Sequence, residues 1–322
     1  MHYSPIPMHI PDGFLSMLVA TAAWLAAAAV ISLALRKVGK EIDERQAPVM
    51  GILAAAIFAG QMLNFSVTGG TSGHLLGAAL AAILLGPWPA VLVMTAVVST
   101  QALLFQDGGL LALGANLVNM AFVGVFVGAS AFRLVQKVAG SQKWSLFAGG
   151  FTAAWLSIFA ASLSCALQLA VSGVSPARIV FPAMGGIHAL IGVGEGLITV
   201  GALALVRAAR PNLLQERTDA ARSDRGLVTA GGLITLSLAV LSPLASSHPD
   251  GLEWVAENLG FLENARDAVY KLIPDYAMPG FSNPAAATIA AGILGALVVF
   301  TAAWAVGHNR SRRDVTEAQK SH

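Results

Sequence analysis

The chain reads as long apolar runs separated by short polar turns. Nine such runs cover about residues 14–35, 47–63, 74–87, 90–105, 110–132, 145–171, 180–206, 227–246 and 285–306. Most approach the roughly 20 apolar residues that a helix needs to cross a bilayer. The 74–87 run is shorter and ends at Gly86-Pro87-Trp88-Pro89, which predicts a tight helical hairpin with the run that follows. The expected fold is an all-α integral membrane protein. It is a polytopic helical bundle with about seven spans in an N-terminal module and two more in a C-terminal module.

Charge placement orients the bundle. With the N-terminus outside and spans alternating, all but three of the nineteen basic residues fall inside, the exceptions being Arg178, Arg266 and Lys271. The positive-inside rule favours that arrangement, which also puts the C-terminus inside. Composition agrees with a membrane class. Hydrophobic residues make up 56% of the 322 and charged ones 11%, against about 25% charged in soluble domains. The net charge of +2 resides in the loops and gives no case for nucleic acid as a partner. Cys165 is the one cysteine and reads as a small core residue, and residues 1–7 lack the basic and apolar regions of a signal peptide.

The polar stretches divide the chain. Residues 8–208 form one membrane module, 209–226 a charged cytoplasmic linker, and 227–308 a second module of two spans. Between those two spans, residues 247–283 form an extracytoplasmic segment too polar to cross, and 309–322 form a basic tail. Span one carries small-residue pairs at helical spacing, Ala22 with Ala26 and Ala23 with Ala27, suited to close approach by a partner helix or by this chain's own helices.

Polar residues at membrane depth mark candidate chemistry. Met8-His9-Ile10-Pro11-Asp12-Gly13-Phe14 precedes span one, and Gly69-Gly70-Thr71-Ser72-Gly73-His74 joins spans two and three. The charge-derived topology puts both histidines on the outer face. Two imidazoles at one mouth suit a borderline divalent metal such as nickel, cobalt, zinc or copper; they equally suit an interfacial, hydrogen-bonded pair. A third group is Phe105-Gln106-Asp107-Gly108-Gly109, followed by Asn116 and Asn119 on one helix face. These asparagines either pack helices together or orient a loop near a ligand. His188 and Glu195 share a face of span seven and either pair, for proton relay or metal binding, or satisfy separate polar neighbours.

Taken together, these blocks resemble the CbiM/NikM family, the substrate-specific subunits of energy-coupling-factor (ECF) transporters for cobalt and nickel. The similarity lies in Met8 to Ser16, Gly69 to Gly77, Leu104 to Gly109, Leu113 to Asn116 and His188 to Glu195. Pro249-Asp250-Gly251-Leu252-Glu253 resembles the start of a PDGLE-type domain, the small auxiliary component of these systems. The resemblance implies a metal held by a free amine at Met8, the backbone nitrogen and imidazole of His9, and His74. Such a four-nitrogen set favours a planar site, the geometry that suits Ni(II) or Cu(II). It leaves Thr71 and Ser72 as candidates to orient His74, with Asp107, Asn116, His188 and Glu195 as supporting residues. The family motif begins at the initiator Met, whereas seven residues precede Met8 here. A free amine therefore requires that the chain start at Met8 or lose its extension; an altered set could otherwise draw on Met1-His2, which repeats the dipeptide.

No Walker-type glycine-lysine loop is present, so ATP hydrolysis falls to partners. The resemblance implies two cytosolic ABC ATPase subunits and a transmembrane coupling subunit. The expected protein is a multi-pass component of the inner cell membrane that takes Ni(II) or Co(II) as substrate, needs no cofactor, and captures metal on the extracytoplasmic face. The amide-containing site leans toward nickel; cobalt uptake for corrinoid synthesis is the alternative. An intramembrane hydrolase built on His188 and Glu195 lacks an H-E-x-x-H cluster. A stand-alone secondary carrier lacks an evident inverted repeat.

Overall fold

The structure is a computed structural model that describes residues 9–41, 46–140, 142–209 and 225–320. Met8, Met1 and His2 lie outside the described residues, as does most of the 209–226 linker. The helices follow the apolar runs: α1 (Met17–Glu41), α2 (Ala47–Gln61), α3 (Ala78–Leu85), α4 (Pro87–Thr100), α5 (Leu113–Asn116), α6 (Gly124–Ala139), α7 (Lys143–Val171), α8 (Ala177–Ala209), α9 (Arg225–Leu241), α10 (Gly251–Leu259) and α11 (Pro284–Lys320). Six helical stretches among the described residues are long and apolar enough to cross a membrane. Those within α2 and α9 are shorter, at Ala47–Gln61 and Val228–Leu244. The 74–87 run forms the expected hairpin, with α3 passing into α4 at Gly86, whose φ of 85° reverses the chain.

The fold is mostly helical, as a polytopic helical membrane protein requires, with one short sheet among the described residues. β1 (Phe65–Val67) and β2 (Thr71–Gly73) form an antiparallel hairpin between α2 and α3. Gly69 and Gly70, both at positive φ, make its turn. Two π-helical segments, Gln101–Phe105 and Leu117–Val123, interrupt α4 and the α5–α6 helix on either side of the Asp107 turn. Such wide turns free backbone groups and often accompany binding sites.

The bundle buries small residues and exposes large apolar ones. Ala54, Ala59, Ala78 and Ala115 are buried, while Leu18, Leu25, Leu190 and Leu197 point outward, as lipid-facing helices require. In α1, Ala23 and Ala27 pack inside the chain, whereas Ala22 and Ala26 are exposed. The C-terminal helices share this core: α11 packs on α2, α4 and α1, α9 on α2, and α10 on α8 and β2.

Candidate metal centre

The N-terminal arm is threaded over the Asp107 turn. Asp12 accepts hydrogen bonds from the backbone N–H groups of Leu110, Leu111 and Ala112 at 3.1, 2.8 and 3.0 Å. Asn116 pairs with both backbone groups of Ile10: its Oδ1 accepts from Ile10 N–H at 3.0 Å and its Nδ2 donates to Ile10 C=O at 3.1 Å. Buried peptide groups must find partners, so this pairing fixes the chain immediately after His9. Asn116 thus orients the arm. Asn119 instead packs helices, bonding Gln168 and, through its Oδ1, Ser164 on α7.

His9 is buried and reaches Asp107 through Nδ1 at 2.8 Å. Its other ring nitrogen, Nε2, is buried with no hydrogen-bond partner. The His74 ring lies edge-on, with centroids 5.8 Å apart, and its Nδ1 donates to Leu75 C=O at 3.1 Å. That bond leaves Nε2 of His74 as the acceptor nitrogen of the neutral ring. A ring bound at a metal–nitrogen distance of about 2 Å has its centroid about 3 Å from the ion. Two rings on one ion therefore sit between about 4.5 and 6.3 Å apart, a range that includes this pair. The sequence motifs at positions 9, 74 and 107, far apart in the chain, meet here.

His74 is held through the loop that follows it. Glu195 of α8 is fully buried and accepts from the N–H groups of Leu76 and Gly77 at 2.7 and 3.0 Å. Gln61 Nε2 donates to Leu76 C=O at 2.8 Å. Gly77, at φ 76°, starts α3 in the left-handed region that favours glycine. Thr71 and Ser72 correct the expectation that they orient His74. Thr71 Oγ1 donates to Pro249 C=O at 3.0 Å and Ser72 Oγ to His248 C=O at 2.8 Å, while Ser72 N–H donates to Pro249 C=O. Their hydroxyls point along the edge of β2, where the C-terminal segment lies, so they fasten that segment. His188 and Glu195 do not pair: His188 Nδ1 bonds Met184 C=O at 2.8 Å, while both Glu195 oxygens are taken by the loop.

The C-terminal segment brings residues that the motifs did not single out. Tyr276 donates its hydroxyl to Asp107 Oδ2 and stacks on Phe105 with centroids 4.6 Å apart. Asp250 caps α10 at the pocket's rim, and Gly251 lies against His188. Asp250 was legible inside the PDGLE-like motif. Tyr276 carried no sequence signal, since it lies in an irregular stretch without periodicity. A cavity of about 90 Å³ lies beneath the two rings, lined by His9, His74, His188, Cys165, Met120 and Met184 among others. A larger cleft of about 370 Å³ opens beside it and presents Asp107, Asp250, Glu253 and Asp275. Among the described residues, no three His, Cys, Asp or Glu side chains form a metal-ligand cluster.

The pocket's electrostatics follow from burial and pairing. Burial disfavours the His9 cation, but the charge and hydrogen bond of Asp107 outweigh it and hold the imidazole above its ordinary value. Burial, reinforced by His9, pushes His74 down. Burial works to raise Asp107, yet His9 and the Tyr276 hydroxyl keep it below the usual carboxylate range. Asp250 is pushed by burial up to about 7.

Comparison with known proteins places these features in a family. Residues 9–213 match the profile of the cobalt uptake substrate-specific transmembrane region, CbiM, and residues 225–312 match the PDGLE domain. A putative fused nickel transport protein NikMN of Archaeoglobus fulgidus is 37% identical over 306 residues, covering 93% of this chain and 98% of that protein. The fused nickel transport protein NikMN of Rhodobacter capsulatus is 33% identical, over 78% of this chain and 76% of its own. A cobalt transport protein CbiM of Sorangium cellulosum is 36% identical over 64% of this chain and 94% of its own. The crystal structure of a truncated transition metal transporter superposes with a TM-score of 0.55 at 35% identity, over 62% of this chain and 98% of that one. The chain is a multi-pass membrane protein of the CbiM/NikM family of metal-uptake components, fused in one polypeptide to a PDGLE domain.

Proposed function

We propose that the protein captures a divalent transition metal, nickel in preference to cobalt, as the substrate-specific subunit of an ECF-type importer. The observation that carries this reading is the His9–His74 pair, with ring centroids 5.8 Å apart, His9 buried and Nε2 of His74 left as an acceptor nitrogen beside it. Met8, through its amine, and the backbone nitrogen of His9 supply the remaining donors, and the resulting nitrogen-rich set favours Ni(II). In this reading nine spans cross the bilayer, the N-terminus lies outside and the pocket opens to the extracytoplasmic side. The acidic cleft beside the pair raises the local cation concentration. Two cytosolic ATPase subunits and a transmembrane coupling subunit supply the work.

The test is a titration of purified protein, begun at Met1 and at Met8, with Ni(II) and Co(II) in competition. The expected result is stoichiometric nickel binding that is strongest from Met8 and lost in His74→Ala. Preferred cobalt binding with the same His74 dependence would keep the site and assign the substrate to cobalt. Binding indifferent to His74 would overturn the site.

A further inference from the structure

The geometry points to Tyr276 as a positioning residue for His9: its hydroxyl holds Asp107, Asp107 holds the imidazole, and the C-terminal segment thereby sets the geometry of a metal ligand. This rests on the reading of His9 and His74 as ligands. Three observations converge on it. The two oxygens of Asp107 are divided, Oδ1 to His9 Nδ1 and Oδ2 to the Tyr276 hydroxyl, so the carboxylate is held from both sides. The segment carrying Tyr276 is laid along the turn that carries Asp107: Tyr270 donates to Leu103 C=O, Ile273 N–H to Leu104 C=O, and Leu272 N–H to Gln106 Oε1. Finally, Asp275 and Tyr276 both adopt positive φ, 56° and 55°, a conformation that disfavours side chains. The chain accepts that cost where the hydroxyl enters the pocket, and strained residues of this kind concentrate at functional sites.

The sign of the effect does not depend on which imidazole nitrogen takes the metal. If Nε2 binds, Asp107 orients the ring from Nδ1, and loss of the hydroxyl loosens that support. If the His9 amide and ring chelate the same ion, the ring must use Nδ1. Asp107 must then release it, and the Tyr276 hydroxyl is the partner that keeps the released carboxylate satisfied. Removing the hydroxyl weakens metal binding in both cases.

The experiment is a double-mutant cycle on the full chain in detergent, reading nickel affinity by calorimetry and the nickel ligand-field absorption. Tyr276→Phe keeps the ring stacked on Phe105 and removes only the hydroxyl. We expect it to raise the nickel Kd about threefold to tenfold, a step weaker than the loss of a direct partner of a metal-bound histidine, and to shift the absorption band. In an Asp107→Ala background the same substitution should change neither, because its route to His9 is gone. An equal loss in both backgrounds, or no change in the parent, would overturn the inference while His74-dependent binding still stood. Parent protein whose nickel binding survives His74→Ala would instead remove the reading on which it rests.

Discussion

Glu195 grips Gly77 across 118 positions of sequence, accepting its N–H at 3.0 Å while the other oxygen takes the N–H of Leu76. His74 sits two residues before that anchor. Glu195→Ala would leave two buried donors unpaired, at about 1–3 kcal/mol each, so a clear drop in thermal stability is expected. Nickel affinity should fall by about tenfold or more as the imidazole loses its fixed base. Glu195→Gln, which keeps one acceptor, should lie between. A Glu195→Ala protein with parental melting temperature and affinity would show that Gln61 and the hairpin hold His74 unaided.

Asn116 does for His9 what Glu195 does for His74. It closes a two-bond pairing with Ile10, the residue after His9, and is itself buried. Asn116→Ala should therefore speed nickel release, measured by competition with a chelator, because the arm can lift away. Asn116→Asp keeps the acceptor and loses the donor, so its release rate should fall between the two. A release rate unchanged in Asn116→Ala would mean that Asp12 alone secures the arm.

The spans were legible because apolar runs are a one-dimensional signal: α1, α7, α8 and α11 fall where the runs lie. The meeting of His9, His74 and Asp107 was foreshadowed only as two histidines on one membrane face and a separate Asp107 motif, since no spacing rule connects positions so far apart. Thr71 and Ser72 lie within three residues of His74 in sequence, yet their hydroxyls bond the carbonyls of residues 248 and 249. The edge of β2 is where the C-terminal segment docks, with Ser72 bridging to Asp250, a contact that carries no local sequence signal. The β-hairpin itself is too short to display a period. Tyr276 was invisible because it acts through an irregular segment laid down by backbone contacts with the 103–106 turn.

Gly295 permits the contact that seats α11. A Cβ there would come within 2.2 Å of Phe58 Cζ and 2.8 Å of Phe105 Cζ. Neither ring has room to retreat, since both are fully buried. Gly295→Ala should cost at least the 1–3 kcal/mol typical of overpacking, read as a lowered melting temperature. Because Phe105 stacks on Tyr276, nickel affinity should fall as well. Parental stability in Gly295→Ala would show that α11 slides on α2 without penalty.

Asp250 separates the role of a cap from that of a charge. It precedes α10 in an extended conformation (φ −70°, ψ 176°), and its Oδ1 accepts the Glu253 N–H at 2.7 Å. Asparagine caps a helix about as well as aspartate, whereas alanine costs about 1 kcal/mol. Hydrogen exchange across residues 251–259 should therefore match the parent in Asp250→Asn and accelerate in Asp250→Ala. Gly251 packs on His188, so frayed helix in the alanine variant should also loosen the pocket, and nickel affinity should follow exchange. If both variants lost affinity equally while only the alanine variant frayed, the carboxylate would matter for its charge toward the incoming cation, and the cap would be incidental to capture.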